Sequence, residues 1–108
     1  RRNGGGVYST GTLTVTNSTL SGNSAISGGA IYNYRGTLTV SNSTLSGNSA
    51  DWGGGGIYST GTLTVTNSTL SGNSAGGGGG IYNIGTLTVT NSTLLRNSAQ
   101  NGGGVFNQ

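Results

Sequence analysis

The sequence predicts an all-β protein: a right-handed parallel β-helix with three short strands per coil of 24–25 residues and about four coils. The first reason is repetition, since residues 54–75 read GGGIYSTGTLTVTNSTLSGNSA and residues 4–25 repeat them with Val7 in place of Ile57. The second is composition, since strong helix formers are scarce while Thr, Val, Ile and Tyr are frequent. Such a composition favours strands and excludes a helical repeat.

The copies form a single array over residues 1–108, and they begin near Gly4, Gly28, Gly54, Gly78 and Gly102. Only 30% of the residues are hydrophobic and 24 are glycine, which is poor material for a single central core. In an array each coil buries its few apolar residues against the coils above and below. We therefore expect a stack of coils rather than a globule.

Each copy contains three predicted strands separated by corners. Residues 62–66 alternate polar and apolar side chains, which indicates a strand that buries Leu63 and Val65. Ile57 marks a second short strand, and Leu70 with Ala75 marks the third. The predicted corners are Gly61, residues 67–68 and residues 72–73. Right-handed winding follows from the handedness rule for parallel strand crossovers.

Stacking such coils places equivalent residues in ladders that run along the solenoid. The predicted apolar ladders are Ile31, Ile57 and Ile81; Leu13, Leu38, Leu63 and Leu87; and Leu20, Leu45, Leu70 and Leu94. Asparagine ladders are predicted at two corners, one of Asn23, Asn48, Asn73 and Asn97 and one of Asn17, Asn42, Asn67 and Asn91. An amide at a corner can donate to one neighbouring coil and accept from the other.

Two short motifs carry a resemblance to a known family. Residues 28–31 read GGAI, and Leu20-Ser21-Gly22-Asn23 with its copies is a leucine form of the FxxN element. Together they resemble the repeats of bacterial surface proteins of the polymorphic outer-membrane and adhesin type. The resemblance implies a right-handed parallel β-helix at the cell surface, and it covers nearly the whole chain.

The composition argues against catalysis and metal binding. The charged residues are four arginines and Asp51, with no histidine or cysteine. Glycoside hydrolysis needs two carboxylates, and a serine nucleophile needs a base beside it. Zinc and calcium sites need ligand sets that this chain lacks. We therefore predict no enzyme, no cofactor and no metal site.

The charge and hydropathy patterns also limit the partners. A net charge of +3 from scattered arginines does not form the basic stripe of a nucleic-acid-binding protein. No apolar run has the length of a membrane span. We expect neither nucleic acid nor a membrane span.

The outward-facing threonines form a regular grid of hydroxyl and methyl groups. They are Thr12, Thr14, Thr37, Thr39, Thr62, Thr64, Thr86 and Thr88. The grid resembles the ice-binding face of some β-solenoids. The alternative interpretation is that threonine is simply a good residue for an exposed strand.

Aromatic residues form a second candidate surface. Tyr8, Tyr32, Tyr58, Tyr82 and Phe106 follow the buried Ile/Val position and should point outward. Glycan binding and stacking between coils are both compatible with this ladder. Trp52, Tyr34 and Arg35 lie in the loops where the copies differ, and such loops often carry recognition in repeat proteins.

Asn17, Asn42, Asn67 and Asn91 each begin an N-S-T triplet, the acceptor pattern for N-glycosylation. If these asparagines pointed inward as a ladder, they could not be modified in the folded protein. We favour the ladder here.

The predicted role is that of a non-enzymatic, extracellular structural or adhesive element at the cell surface. The chain ends in the same phase of the repeat in which it begins, so its coils can continue in a longer solenoid or stack head to tail with another copy into a fibre. A binding module is the alternative, for ice through the threonine face or for surface glycans through the tyrosine ladder.

Overall fold

A computed structural model describes residues 5–100 and 102–107, and over this range the chain is a β-solenoid. The described residues contain 17 short strands and no helix, and every strand pair is parallel. The solenoid measures 26 × 25 × 24 Å. The all-β, parallel, stacked-coil fold class predicted from the sequence is confirmed.

Equivalent strands of successive coils form four parallel sheets, each named here after its most characteristic residue. The tyrosine sheet contains Val7–Ser9, Ile31–Asn33, Ile57–Ser59, Ile81–Asn83 and Val105–Asn107. The threonine sheet contains Thr12–Thr16, Thr37–Ser41, Thr62–Thr66 and Thr86–Thr90. The leucine sheet contains Thr19–Ser21, Thr44–Ser46, Thr69–Ser71 and Thr93–Leu95. The alanine sheet contains Ser24–Ala25, Ser49–Ala50, Ser74–Ala75 and Ser98–Ala99.

Each coil therefore has four strands instead of the three predicted. Leu70 and Ala75 belong to separate strands, because Gly72 and Asn73 break the extended chain between them. Gly72 adopts φ +64°, a left-handed conformation that glycine reaches without steric cost. The side chain of Asn73 is fully buried at the resulting corner.

The register between coils is residue on like residue. Leu38 pairs with Leu13 on one side and Leu63 on the other, and Ile57 pairs with Ile31 and Ile81. Leu38, Leu63, Ile31, Ile57 and Ile81 are fully buried in one apolar cluster. Thus the interior of the solenoid is a column of repeated aliphatic side chains.

The apolar column is less covered at its two ends. Leu13 and Leu87, which occupy the first and last strands of the threonine sheet, are only partly buried. Val89 is 38% exposed, whereas its counterpart Val65 is fully buried. Burial of the core therefore depends on having a coil on both sides.

Candidate functional site

The wall of the solenoid contains a continuous ladder of side-chain amides. Asn23 Nδ2 donates to Asn48 Oδ1 at 3.1 Å, and the same bond recurs from Asn48 to Asn73 and from Asn73 to Asn97, each at 2.9 Å. The backbone N–H of each donor asparagine bonds the same oxygen at 3.0 Å. The ladder joins all four corners between the leucine and alanine sheets.

The buried members of this ladder use every hydrogen-bonding position of the amide. Asn73 Oδ1 accepts two bonds from Asn48, while its Nδ2 donates to Asn97 Oδ1 and to the carbonyl of Leu45 at 3.0 Å. Asn48 and Asn73 are fully buried. Because a buried amide must be satisfied to be stable, this ladder has a structural role.

Sequence reasoning missed a second inward-facing polar row, at the end of the tyrosine-sheet strands. Asn33, Ser59 and Asn83 are fully buried, and Asn33 Nδ2 donates to Ser59 Oγ at 3.1 Å. Asn83 Nδ2 donates to Asn107 Oδ1 at 3.0 Å. The sequence does contain this information, because side chains point to alternate sides along a strand. After the inward Ile81 and the outward Tyr82, the side chain of Asn83 must point inward.

The N-S-T asparagines do not form the ladder that the sequence suggested. Asn17, Asn42, Asn67 and Asn91 are exposed, and within the described residues no side-chain hydrogen bond joins one to the next. Each has φ between 48° and 51°, a left-handed conformation that asparagine tolerates better than other side-chain-bearing residues. Asparagine is therefore suited to these positions because the tight corner requires a left-handed backbone conformation. The ladder favoured from the sequence is therefore wrong at these positions, and the exposed side chains are accessible to N-glycosylation, for which intact-mass measurement on native material is the test.

The threonine sheet presents an ordered outer face. Thr14, Thr39, Thr64 and Thr88 lie opposite one another on successive strands, as do Thr12, Thr37, Thr62 and Thr86. None of these eight threonines is buried. The face is a two-dimensional array of hydroxyl and methyl groups, with strands about 4.8 Å apart.

The outward residues of the tyrosine sheet stack ring on ring. Centroids of Tyr8, Tyr32, Tyr58 and Tyr82 are separated by 5.1, 4.9 and 5.2 Å, with interplanar angles of 10° or less. Phe106 continues the stack 4.8 Å beyond Tyr82. The faces of Tyr32, Tyr58 and Tyr82 are therefore covered by neighbouring rings, and a bound sugar would meet their edges.

Stacking also perturbs two of the phenols. Burial raises the pKa of Tyr32 and Tyr58, and the neighbouring phenolate charges raise it further. Tyr58 and Tyr82 repel each other as phenolates, and so do Tyr32 and Tyr58. Tyr32 and Tyr58 therefore favour the neutral phenol.

Tyr34 and Arg35 form a separate small surface beside the stack. The Tyr34 ring lies 6.3 Å from the Tyr32 ring, and the guanidinium carbon of Arg35 lies 5.1 Å from the centroid of Tyr34. Arg35 has φ 58°, and its backbone N–H donates to Thr60 Oγ1. The loop thus holds a cation against an exposed aromatic ring.

Trp52 stands at the edge of a groove next to the tyrosine stack. The side chain is 67% exposed. The groove has a volume of about 770 Å³, and its lining includes Trp52, Asp51, Tyr58, Tyr82 and Gln100. Gly76 and Gly77 also line it, and these two glycines are all that the third coil has where the second has Asp51, Trp52 and Gly53. The structure brings Trp52 close to the tyrosine stack, on a different loop from Tyr34 and Arg35.

The part of the chain that the structure describes contains no group of three or more His, Cys, Asp or Glu side chains that could hold a metal ion. Over the same residues, no helix has the length and apolar character needed to cross a membrane.

In-register parallel coils, an internal amide ladder and regular polar outer faces define a β-solenoid repeat protein. The chain belongs to the Chlamydia polymorphic membrane protein repeat family, whose model matches residues 17–34, 42–60 and 67–84, together just over half of the chain. The resemblance to bacterial surface-protein repeats is thereby confirmed, and the family is one of bacterial surface proteins. No curated protein and no solved structure matches the chain.

The three matches cover the same part of each coil. They begin at the exposed asparagines Asn17, Asn42 and Asn67 and run through the leucine, alanine and tyrosine sheets. Every strand of the threonine sheet lies outside them. The matches thus include Asn23, Asn48 and Asn73 of the amide ladder and Tyr32, Tyr58 and Tyr82 of the aromatic stack, and they include no strand of the threonine face.

Proposed function

We propose that this chain is a non-enzymatic, extracellular structural and adhesive solenoid whose coils continue head to tail, into further coils of a longer chain or into another copy. The observation that carries the proposal is the pair of end coils. The strands Thr12–Thr16 and Thr86–Thr90 each have a neighbour on one side only within the described structure. Both carry the same alternating sequence and partly exposed apolar side chains.

One end coil is chemically suited to cover the other. Inside the chain, the strand Thr62–Thr66 pairs with Thr37–Ser41 on one side and with Thr86–Thr90 on the other, and both pairings are in register at every residue. Pairing between the Thr86–Thr90 edge and the Thr12–Thr16 edge of another copy would repeat that arrangement in the threonine sheet, bury Val89 and satisfy the open backbone groups. In the tyrosine sheet, Val105–Asn107 already pairs with Ile81–Asn83, so it would stand in for the Val7–Ser9 strand of the incoming copy, which must move aside. Such a contact does not close on itself, so it produces a fibre.

Electron microscopy and light scattering of the purified chain test this proposal. We expect assemblies that lengthen with protein concentration. Val89→Lys places a charge on the inward side of the end strand and should leave monomers, whereas Thr88→Lys, which changes the adjacent outward residue, should still assemble. Monomers of the unaltered chain at all concentrations would argue against head-to-tail association between copies.

The regular threonine face favours a second candidate function, ice binding. Its support is the register of the outward threonines across four strands. The folded protein should then show thermal hysteresis, and Thr39→Lys together with Thr64→Lys should abolish it. Hysteresis at background for the unaltered protein would exclude this function.

The aromatic surface favours glycan binding as the other candidate, with Trp52 as the contact residue. Unlike the inner stacked tyrosines, its highly exposed indole has space for a sugar ring, and Asp51 and Gln100 line the same groove. A glycan array should give hits that Trp52→Ala loses and Tyr34→Ala keeps. An array without hits would contradict the assignment.

A further inference from the structure

The tyrosine stack places four phenols on one line along the outside of the solenoid. Tyr8, Tyr32, Tyr58 and Tyr82 are sequential neighbours in this line, at centroid distances of 4.9–5.2 Å. The stack is part of the solvent-facing surface, since Tyr8 is 53% exposed and Tyr32, Tyr58 and Tyr82 are half-buried. Oxidisable rings are thus held in near-parallel pairs with access to solvent.

We infer that this stack is a site of oxidative cross-linking, at which hydrogen peroxide acting through a haem peroxidase joins tyrosines of adjacent coils as dityrosine. The inference goes beyond the proposed structural role, because it assigns a covalent modification to named pairs. It does not require association between copies.

The chemistry balances with peroxide as the oxidant. Each of two phenols loses one electron and one proton, and the resulting pair of phenoxyl radicals forms a carbon–carbon bond between the ring carbons next to the oxygens. The hydrogens on those two carbons pass through solvent to the oxygens, which restores both aromatic rings as phenols. One molecule of hydrogen peroxide takes up the two electrons and two protons and becomes two molecules of water.

The fold supplies the proximity that this coupling needs. Two phenoxyl radicals must meet in order to couple, and parallel strands in register hold these rings one coil apart, which makes coupling within the molecule effectively unimolecular. Strand pairing fixes the backbones of Tyr32 and Tyr58 opposite each other, so that only side-chain rotation is required. The rings of Tyr32 and Tyr58 are near-parallel, and part of each is exposed at the surface.

The line of coupling partners ends at Phe106. Its ring stacks on Tyr82 with an interplanar angle of 9°, but it has no phenol to oxidise. Phe106 also shows that phenylalanine fits this position in the stack. Replacement of tyrosine by phenylalanine is therefore a suitable way to remove a phenol while keeping the stacking.

Two matched variants test the inference. Both carry Tyr8→Phe and Tyr34→Phe, which remove the first phenol of the stack and the neighbouring off-line phenol. The adjacent-pair variant adds Tyr82→Phe and keeps Tyr32 and Tyr58, which stack at 4.9 Å. The spaced-pair variant adds Tyr58→Phe and keeps Tyr32 and Tyr82, which lie two coils apart.

Trypsin cuts after Arg35, which lies between Tyr32 and the other retained tyrosine in both variants. The two tyrosines therefore fall on different peptides, and a cross-link between them joins the same two peptides in either variant. Each dilute, folded protein is treated with peroxidase and hydrogen peroxide, separated as a monomer, cleaved and analysed by mass spectrometry and dityrosine fluorescence. We expect the adjacent-pair variant to yield the peptides 3–35 and 36–96 joined with the loss of two hydrogen atoms. The spaced-pair variant should lose this product.

Equal yields from the two variants, or no joined peptides from the adjacent-pair variant, would overturn the inference. Circular dichroism and thermal unfolding of both variants establish that they are folded before treatment. The unaltered chain provides a second measurement, since its Tyr32 and Tyr58 should give the same joined peptides, and failure there would also overturn the inference.

Discussion

Asn48 and Asn73 join adjacent coils through an amide–amide hydrogen bond of 2.9 Å, with both side chains fully buried. The bond links positions 25 residues apart in sequence. Each amide therefore helps to fix the phase of one coil relative to the next as well as to satisfy a corner. A buried polar row with full hydrogen bonding tolerates little change, because any shift leaves several groups unpaired.

Asn73→Ala should destabilise the protein more than the same change at the end of the ladder. It removes the bonds to Leu45 and Asn97 and leaves donors of Asn48 unpaired, so we expect the free energy of unfolding to fall by about 3 kcal/mol. Asn23 is half-buried, and Asn23→Ala should cost about 1 kcal/mol. Urea unfolding measures both. Equal losses would show that position in the ladder is unimportant.

Arg96→Gly should stabilise the protein. Arg96 adopts φ 56° at the corner where the other coils place Gly22, Gly47 and Gly72, which have φ between 63° and 67°. A side chain in this left-handed region carries a steric penalty that glycine avoids, so we expect a gain of about 1 kcal/mol in the free energy of unfolding. Arg96→Ala removes the same charge but keeps Cβ, and thermal unfolding should show no gain for it. A gain of equal size with alanine would identify charge as the cause.

Gly77→Ala should disturb the aromatic stack. A Cβ at Gly77 would overlap the ring of Tyr82, with Tyr82 Cε2 and the Gly53 carbonyl oxygen each 2.8 Å away. We expect a loss of about 2 kcal/mol and a changed near-ultraviolet circular dichroism signal, because the ring must move. Gly11→Ala is the control, since no atom lies within 4 Å of a Cβ at that position. An unchanged spectrum for Gly77→Ala would contradict the packing described here.

Stability should decrease at alkaline pH through the stacked tyrosines. Burial, followed by repulsion between neighbouring phenolates, raises the pKa of Tyr32 and Tyr58 from the ordinary value of 10.0. The folded protein then holds these protons more tightly than the unfolded chain does, so the stabilisation is complete below pH 10 and is lost as the pH rises above it. Urea unfolding between neutral pH and pH 11 checks the direction. Replacement of both tyrosines by phenylalanine should weaken the dependence, and an unaltered slope would exclude these phenols.

Much of the fold and of the candidate site could be predicted from the repeat, and each feature that was not predicted has a specific physical cause. Like residues stack because the copies are nearly identical, so the partners of Leu38 and Asn48 follow from counting. The break between Leu70 and Ala75 did not follow, because a two-residue corner and a continuous strand have similar local composition. The outward direction of Asn67 did not follow either, since asparagine suits both a buried ladder and a left-handed corner.

The sequence by itself determined the class of fold, the spacing of the coils and the residues that meet in the core. The reason is that repeated copies with alternating apolar and polar residues bury their apolar side chains when the copies stack in register. Only the tertiary structure decided that a coil has four strands, that Asn33 and Asn83 are buried, and that the tyrosine rings cover one another's faces. These features depend on backbone dihedral angles at short corners and on side-chain directions across coils. Residue type leaves both open until neighbouring coils are in contact.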